Sequence, residues 1–267
     1  TKELVERAKA SGYRALVLTV DTPVLGRRWR DIRNSFEIPA DKGLGNLAGA
    51  YANACTQYGS GLAKYVAKNL DASLTWKDIE WLKSLSDLPL ILKGIVRGDD
   101  ARLAVESGAS AIVVSNHGGR NLDSSPASVE ALPQVVEAVA GQIDVLMDGG
   151  VRGGEDAFKA LCLGAKAVMI GRPVLWALTV AGAQGVEQLM GYFCSDLRVT
   201  MQLAGVRQIQ QHARAVHRAN QRAAVVAQTG VAIVRAPQIR AGVAAGVEVV
   251  EAEVEAGPGE DGNGRRI

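Results

Sequence analysis

Cysteine is scarce in this chain. The three present, Cys55, Cys162 and Cys194, are an odd and scattered set without a Cys-x-x-Cys pair, which argues against both a disulfide framework and a zinc site and favours a reducing compartment. No apolar run approaches the length of a membrane span, and the glycines follow no collagen-like period. Neither sign of charge dominates: 30 Lys and Arg face 28 Asp and Glu, a formal net charge of +2. Bulk charge therefore gives no reason to expect nucleic acid or another polyanion as partner, and any basic chemistry must be local. Of the three histidines, His212 and His217 lie five apart and face different sides of a helix; with no cysteine nearby, no metal site is expected. The chain opens Thr1-Lys2-Glu3-Leu4-Val5, with neither a methionine nor a signal peptide, and a polar helical pattern starts at once; the start reads as cut rather than natural. Its last residues, Gly264-Arg265-Arg266-Ile267, are not a Ser-Lys-Leu-type peroxisomal address, so a cytoplasmic location is expected.

What is present is a globular composition, 48% hydrophobic and 22% charged, in 267 residues. That length suits one large α/β domain or two small ones. Short apolar runs at 15–20, 90–92, 111–114, 145–147 and 167–170 are bounded by Gly, Asp, Asn or Lys, as buried parallel strands are. Helical patterns lie between them at 75–86, 99–107, 128–140 and 154–163; the first carries a capping-box-like Thr75-x-x-Asp78, and Gly108 and Gly164 close two others. The β-α-β-α alternation predicts a parallel sheet with right-handed crossovers, whose ligands sit beyond the carboxyl ends of the strands. The residues just after the strands are Thr19 and Asp21, then Lys93, then Ser115-Asn116-His117, then Asp148-Gly149-Gly150, then Gly171-Arg172.

Two stretches interrupt the alternation. Residues 40–62 are rich in Gly, Ala and Asn and read as a mobile lid. From 206 the composition turns to Ala, Val, Arg and Gln, and 251–264 is acidic and then Gly-rich. This tail, 206–267, is read as an appended helix followed by disorder. Its strand-like runs at 231–234 and 247–250 could instead complete a sheet, although the surrounding Ala, Arg and Glu weigh against that.

The run from Asp148 to Gly154 follows one strand and opens a helix, and Gly171-Arg172-Pro173 follows the next. Glycines let backbone N–H groups approach a phosphate, a helix N-terminus adds positive potential, and Arg152 and Arg172 add bidentate clamps. Glycines that merely make tight turns are the bland alternative; two adjacent strand ends with two arginines favour a phosphate site. Lys93, closing a buried strand, must either snorkel or meet an anion. His117 and Arg120, three apart in a glycine-loosened loop, bring a general base and a carboxylate-binding cation within reach of one small ligand. Asp21 could orient His117. Arg27 or Arg28 could supply the second arm of a clamp, or both could be an ordinary surface pair.

The motifs Leu18-Thr19-Val20-Asp21-Thr22-Pro23-Val24-Leu25-Gly26-Arg27-Arg28, Leu92-Lys93-Gly94, Val114-Ser115-Asn116-His117-Gly118-Gly119-Arg120-Asn121-Leu122-Asp123, Met147-Asp148-Gly149-Gly150-Val151-Arg152 and Ile170-Gly171-Arg172-Pro173 stand in family order. Together they closely resemble the FMN-dependent 2-hydroxy acid oxidase and dehydrogenase family, which includes glycolate and lactate oxidases. The resemblance covers residues 1–205 and implies a (β/α)8 TIM-type barrel, here incomplete, with about the last five βα units. It further implies FMN as cofactor, a small 2-hydroxy acid as substrate, and oxygen or another electron acceptor as partner. Residue by residue, it implies that His117 takes the hydroxyl proton, Asp21 pairs with His117, and Arg120 and Arg28 grip the substrate carboxylate. Lys93 would stabilise the reduced flavin, Thr19 and Ser115 would contact its ring, and Asp148, Gly150, Arg152, Gly171 and Arg172 would hold the ribityl chain and phosphate. Two active-site tyrosines of the family have no counterpart in this sequence, so part of the substrate pocket is expected to be missing. The competing expectation is a non-catalytic flavin- or phosphate-binding barrel fragment, whose open strand edges would invite pairing between chains as a homo-oligomer.

Overall fold

The computed structural model describes residues 1–36 and 72–207, together with the backbone of two further strands, Val231–Arg235 and Glu248–Ala252. The stretch 40–62, expected from the sequence to be a mobile lid, lies outside the described residues, as do most of the residues beyond 207.

Five parallel strands form one sheet: β1 (Leu16–Thr19), β2 (Leu90–Ile95), β3 (Ala111–Val114), β4 (Asp144–Met147) and β5 (Ala167–Val168). They lie side by side in chain order, β1-β2-β3-β4-β5. An open doubly wound sheet reverses its strand order at a switch point, whereas a barrel adds each strand beside the last. The unreversed order is that of a barrel sector. The strands in the tail, β6 (Val231–Arg235) and β7 (Glu248–Ala252), pair antiparallel with each other in a sheet of their own, so the strand-like runs of the tail do pair but do not extend the parallel sheet.

The helices follow from local signals. The chain enters β1 from α1 (Lys2–Ala10), and the short α2 (Trp29–Arg33) follows it. In α3 (Trp76–Ser84) the Thr75 N–H donates to Asp78 Oδ2 at 2.7 Å, so the side chain three residues in satisfies an orphan amide of the first turn. α4 (Gly98–Glu106), α5 (Ser128–Val139) and α6 (Gly154–Cys162) are crossovers between successive strands, and α7 (Arg172–Leu203) follows β5. α7 spans 32 residues and breaks at Ala181 and Gly182, whose backbone angles are not helical. Among the described residues no helix is long and apolar enough to cross a membrane.

Alternation along the strands gives the sheet two apolar faces. Leu92, Ile112, Val114, Val145 and Val168 turn towards the helices, where Ala104, Leu132, Val135, Leu161 and Leu197 meet them. Ala111, Val113, Leu146 and Ala167 form a smaller cluster with Ile91 and Met169 on the other face. β3, in the middle, is buried at all four positions; β1, at the edge, exposes Val17 and Thr19. Where α6 packs against α7, Gly153 and Gly154 serve packing: a Cβ on Gly154 would lie 2.0 Å from the Leu197 backbone nitrogen. The second glycine pair of the Asp148–Gly154 run thus lets α6 abut α7 and does not face a ligand.

Candidate active site

Parallel strands in sequential order bring their carboxyl ends to one rim, and there the residues singled out in the sequence converge. β2 runs on through Lys93 to Ile95, so Lys93 lies inside the strand and not after it. The cause is Gly94, which takes φ +114° at a register shift between Lys93 and Ile95 and lets the ladder resume beyond it. Lys93 meets an anion: its Nζ lies 3.1 Å from Asp148 Oδ2 and donates to Ser115 Oγ at 3.0 Å. Both charged side chains are largely buried, at 16% and 17% exposure, which makes their pairing obligatory for each. Ser115, fully buried, also accepts from the His117 N–H at 3.0 Å. One hydroxyl therefore ties the lysine to the backbone of the histidine.

Past Ser115 the chain makes a single 3-10 turn, His117–Gly119, in which His117 itself has φ +55°. That unusual backbone presents the imidazole to β1's loop, where His117 Nδ1 stands 2.9 Å from Asp21 Oδ1. Thr22 Oγ1 donates to the same carboxylate oxygen at 3.0 Å. Asp21 Oδ2 is buried without a partner among the described residues. Gly94 makes room for this aspartate: a Cβ there would come within 2.6 Å of Asp21 Cβ.

The two adjacent arginines separate clearly. Arg27 is exposed and lies over the Trp29 ring at 5.6 Å. Arg28 turns inward, with its Nε buried and without a partner among the described residues. Burial first, and then the nearby charge of Arg120, lower the Arg28 guanidinium from its ordinary value, while Asp31 acts the other way. Two cations close enough to repel each other, one with a buried unsatisfied donor, are arranged for an anion between them. Gly26 allows the approach, since a Cβ there would lie 2.5 Å from the Arg120 carbonyl oxygen and from Asn121 Cα.

At the other end of the rim, Arg152 is exposed, with its guanidinium 5.2 Å from the centre of the Trp176 ring in the first turns of α7. Arg172 opens that helix and donates through one terminal nitrogen to the Gly118 carbonyl at 2.9 Å, so it reaches the histidine turn as well. The amide of Glu155 at the start of α6 is taken by Asp196 Oδ2 of α7 at 3.2 Å, which satisfies one orphan donor of that N-terminus. Gly150 (φ +85°) and Gly171 are exposed, with no atom of the described residues within 4 Å of a Cβ at either position. Thr19 pairs with Lys93 in register, with its side chain exposed at the sheet edge.

Sequence reasoning gave no role to Thr22, Gly26, Gly94 or Asn121. A glycine inside an apolar strand is a bulge signal and could have marked Gly94. Asn121 forms its bonds with residues about a hundred positions earlier, which no spacing reveals.

The residues present suit FMN. Its phosphate needs cations and unobstructed backbone, as Arg152, Arg172, Gly150 and Gly171 offer; its hydroxylated chain needs an acceptor, and Asp148 Oδ1 is buried without a partner among the described residues; its electron-accepting ring needs a cation, and Lys93 stands on β2, between β1 and β3.

The chain is similar to known proteins. A family model described as FMN-dependent dehydrogenase matches residues 1–219. The chain is 56% identical over 212 residues to an L-lactate oxidase of Nostoc sp., covering 79% of this chain and 58% of the relative. It is 47% identical over 213 residues to 2-hydroxyacid oxidase 1 of Homo sapiens, covering 78% and 58%. Among solved structures, a mandelate oxidase crystallised with (S)-4-hydroxymandelic acid superposes with a TM-score of 0.71 at 47% identity, over 77% of this chain and 58% of that one. The chain thus spans rather more than half the length of the relatives it matches. With the histidine, the arginines and the glycine-lined rim set on sequential parallel strands, and a match over most of its length, the chain belongs to the FMN-dependent dehydrogenase family.

Proposed function

We propose that the protein oxidises a small L-2-hydroxy acid of the glycolate or lactate type to the 2-oxo acid, with FMN as cofactor. The observation that carries this reading is the convergence of the Asp21–His117 pair with Arg28 and Arg120. Arg28 and Arg120 bind the substrate carboxylate and fix the direction of the α-carbon. Asp21 holds His117 through Nδ1, which leaves Nε2 as the base that takes the hydroxyl proton, and the carboxylate then stabilises the imidazolium that forms. FMN, when bound, supplies the acceptor for the α-hydrogen and the two electrons that leave with it. Lys93, held by Asp148 and Ser115, places a positive charge where negative charge develops during that transfer. Asp148, Gly150, Arg152, Gly171 and Arg172 hold the cofactor's chain and phosphate, and Thr19 and Ser115 border its ring. The electrons pass on to oxygen or another acceptor.

Anaerobic mixing of the purified, flavin-loaded chain with glycolate, lactate or mandelate tests the reading. Loss of the oxidised-flavin absorbance with one of these acids is the expected outcome; flavin that binds but is reduced by none of them would refute it and favour the non-catalytic fragment.

A further inference from the structure

Asp21 can orient His117 only if its side chain is itself held, and the aspartate lies in the loop beyond β1, just past the last ladder bond, from the Val20 N–H to the Lys93 carbonyl. What reaches it is Asn121, four residues after His117 on the opposite loop. Asn121 Nδ2 donates to the Asp21 carbonyl at 2.9 Å and to Thr22 Oγ1 at 2.8 Å, and lies 3.4 Å from Asp21 Oδ1. Because Thr22 Oγ1 accepts from Asn121, its own proton is directed onward, to Asp21 Oδ1 at 3.0 Å. A directed chain of donors thus runs from Asn121 through Thr22 to the carboxylate oxygen that faces His117 Nδ1. Asn121 is itself fixed by backbone packing, since Gly26 lies against its Cα and carbonyl.

We propose that Asn121 is a positioning residue of the Asp21–His117 pair: through Thr22 it holds the carboxylate in the one orientation that keeps the imidazole proton on Nδ1 and Nε2 free. Its consequence for turnover rests on the oxidase reading; its consequence for the imidazole does not.

The test is the tautomer of His117, read by nitrogen NMR on the purified 267-residue chain at a pH where the ring is neutral. In the parent chain the Nδ1–H form should dominate. In Asn121→Ala the Nε2–H form should become the major one, and flavin reduction by a 2-hydroxy acid should slow roughly tenfold with flavin affinity unchanged. Thr22→Val, which replaces the hydroxyl by a methyl, should shift the tautomer the same way by a smaller amount, because Asn121 still reaches Asp21 directly; Asn121→Leu, of similar volume and without the amide donors, takes the place of Asn121→Ala if that variant does not fold. The two changes should be less than additive in combination, because they interrupt one chain. An Nδ1–H tautomer retained in the variants, or absent from the parent, overturns the proposal. A tautomer shift in a chain that no 2-hydroxy acid reduces leaves the proposal standing and removes the oxidase reading instead.

Discussion

The two halves of the rim are built on opposite plans. On the base side, Asp21, Thr22, His117 and Asn121 hold one another through short hydrogen bonds, and Gly26 presses one loop's backbone onto the other. On the phosphate side, Gly150 and Gly171 are exposed, and so is Arg152, over Trp176. The base side is organised by the protein's own contacts; the phosphate side offers cations and bare backbone whose hydrogen-bonding capacity suits a ligand. Damage to the first should therefore appear in rate, and damage to the second in affinity.

The sharpest break is His117→Ala. It removes the base and leaves Arg152, Arg172 and the glycines untouched, so flavin should bind as before while its reduction by substrate falls by roughly 10²–10⁴-fold. Flavin titration and anaerobic stopped-flow on the same sample separate the two; normal reduction would reject the base assignment. On the other side, Arg152→Ala should weaken flavin binding by about ten- to a hundredfold, the range for losing a charged hydrogen-bonding partner, with little change in the reduction rate of the flavin still bound. Arg172 tests whether the halves are separate at all. Its bond to the Gly118 carbonyl crosses from one to the other, so Arg172→Ala should lower affinity and slow reduction together. If it changes affinity alone, that contact does not position the histidine.

A smaller effect falls on stability. Gly94 and Gly150 both have positive φ, but a Cβ at Gly94 meets Asp21 within 2.6 Å and one at Gly150 meets nothing within 4 Å. Gly94→Ala should cost roughly 3 kcal/mol, conformational strain plus displacement of the aspartate; Gly150→Ala should cost about 1 kcal/mol, strain alone. Urea unfolding of the two variants measures the difference. Equal costs would mean that Asp21 moves aside freely and that the bulge does not set its place.

How much of this was legible in the sequence depended on whether the cause was local. The capping box at Thr75 and Asp78, the glycines closing α4 and α6, and four of the five strands to within a residue or two are local, and were readable. The strand ends were less so: β2 continues through Lys93 because a bulge glycine can carry a ladder past the point where apolar residues stop, and β5 pairs only at Ala167–Val168. The division of labour within the glycine run was hidden because Gly154 answers to Leu197, and Asp196 fills the amide of α6 from another helix. The break at Ala181 and Gly182 and the length of α7 went unread. His117, Asp21 and Arg120 could be singled out because charged residues just beyond strands have few structural uses, Arg28 was preferred to Arg27 only through the family resemblance, and Asn121 and Thr22 are ordinary loop residues until the fold joins them to Asp21.

Arg28 and Arg120 differ in burial within the proposed clamp, and the smallest effect is expected from that difference. A lysine in either place keeps the charge but loses the planar fork. At Arg28 the guanidinium Nε is buried with no partner among the described residues, so if the proposed clamp holds the substrate there, Arg28→Lys would leave the carboxylate short of a directed donor in a partly desolvated place. KM should rise roughly tenfold. Arg120 is exposed, where water screens its charge and can replace its donors, so Arg120→Lys should raise KM by only about two- to fivefold. Because Arg120 also lowers the Arg28 guanidinium by its charge, Arg120→Gln should relieve that repulsion while weakening the clamp. Added salt should then change KM less in Arg120→Gln than in the parent, since the screened, exposed partner has been removed. Equal KM increases from the two lysine variants would mean that the carboxylate sits evenly between the arginines, and that the buried Nε does not distinguish them.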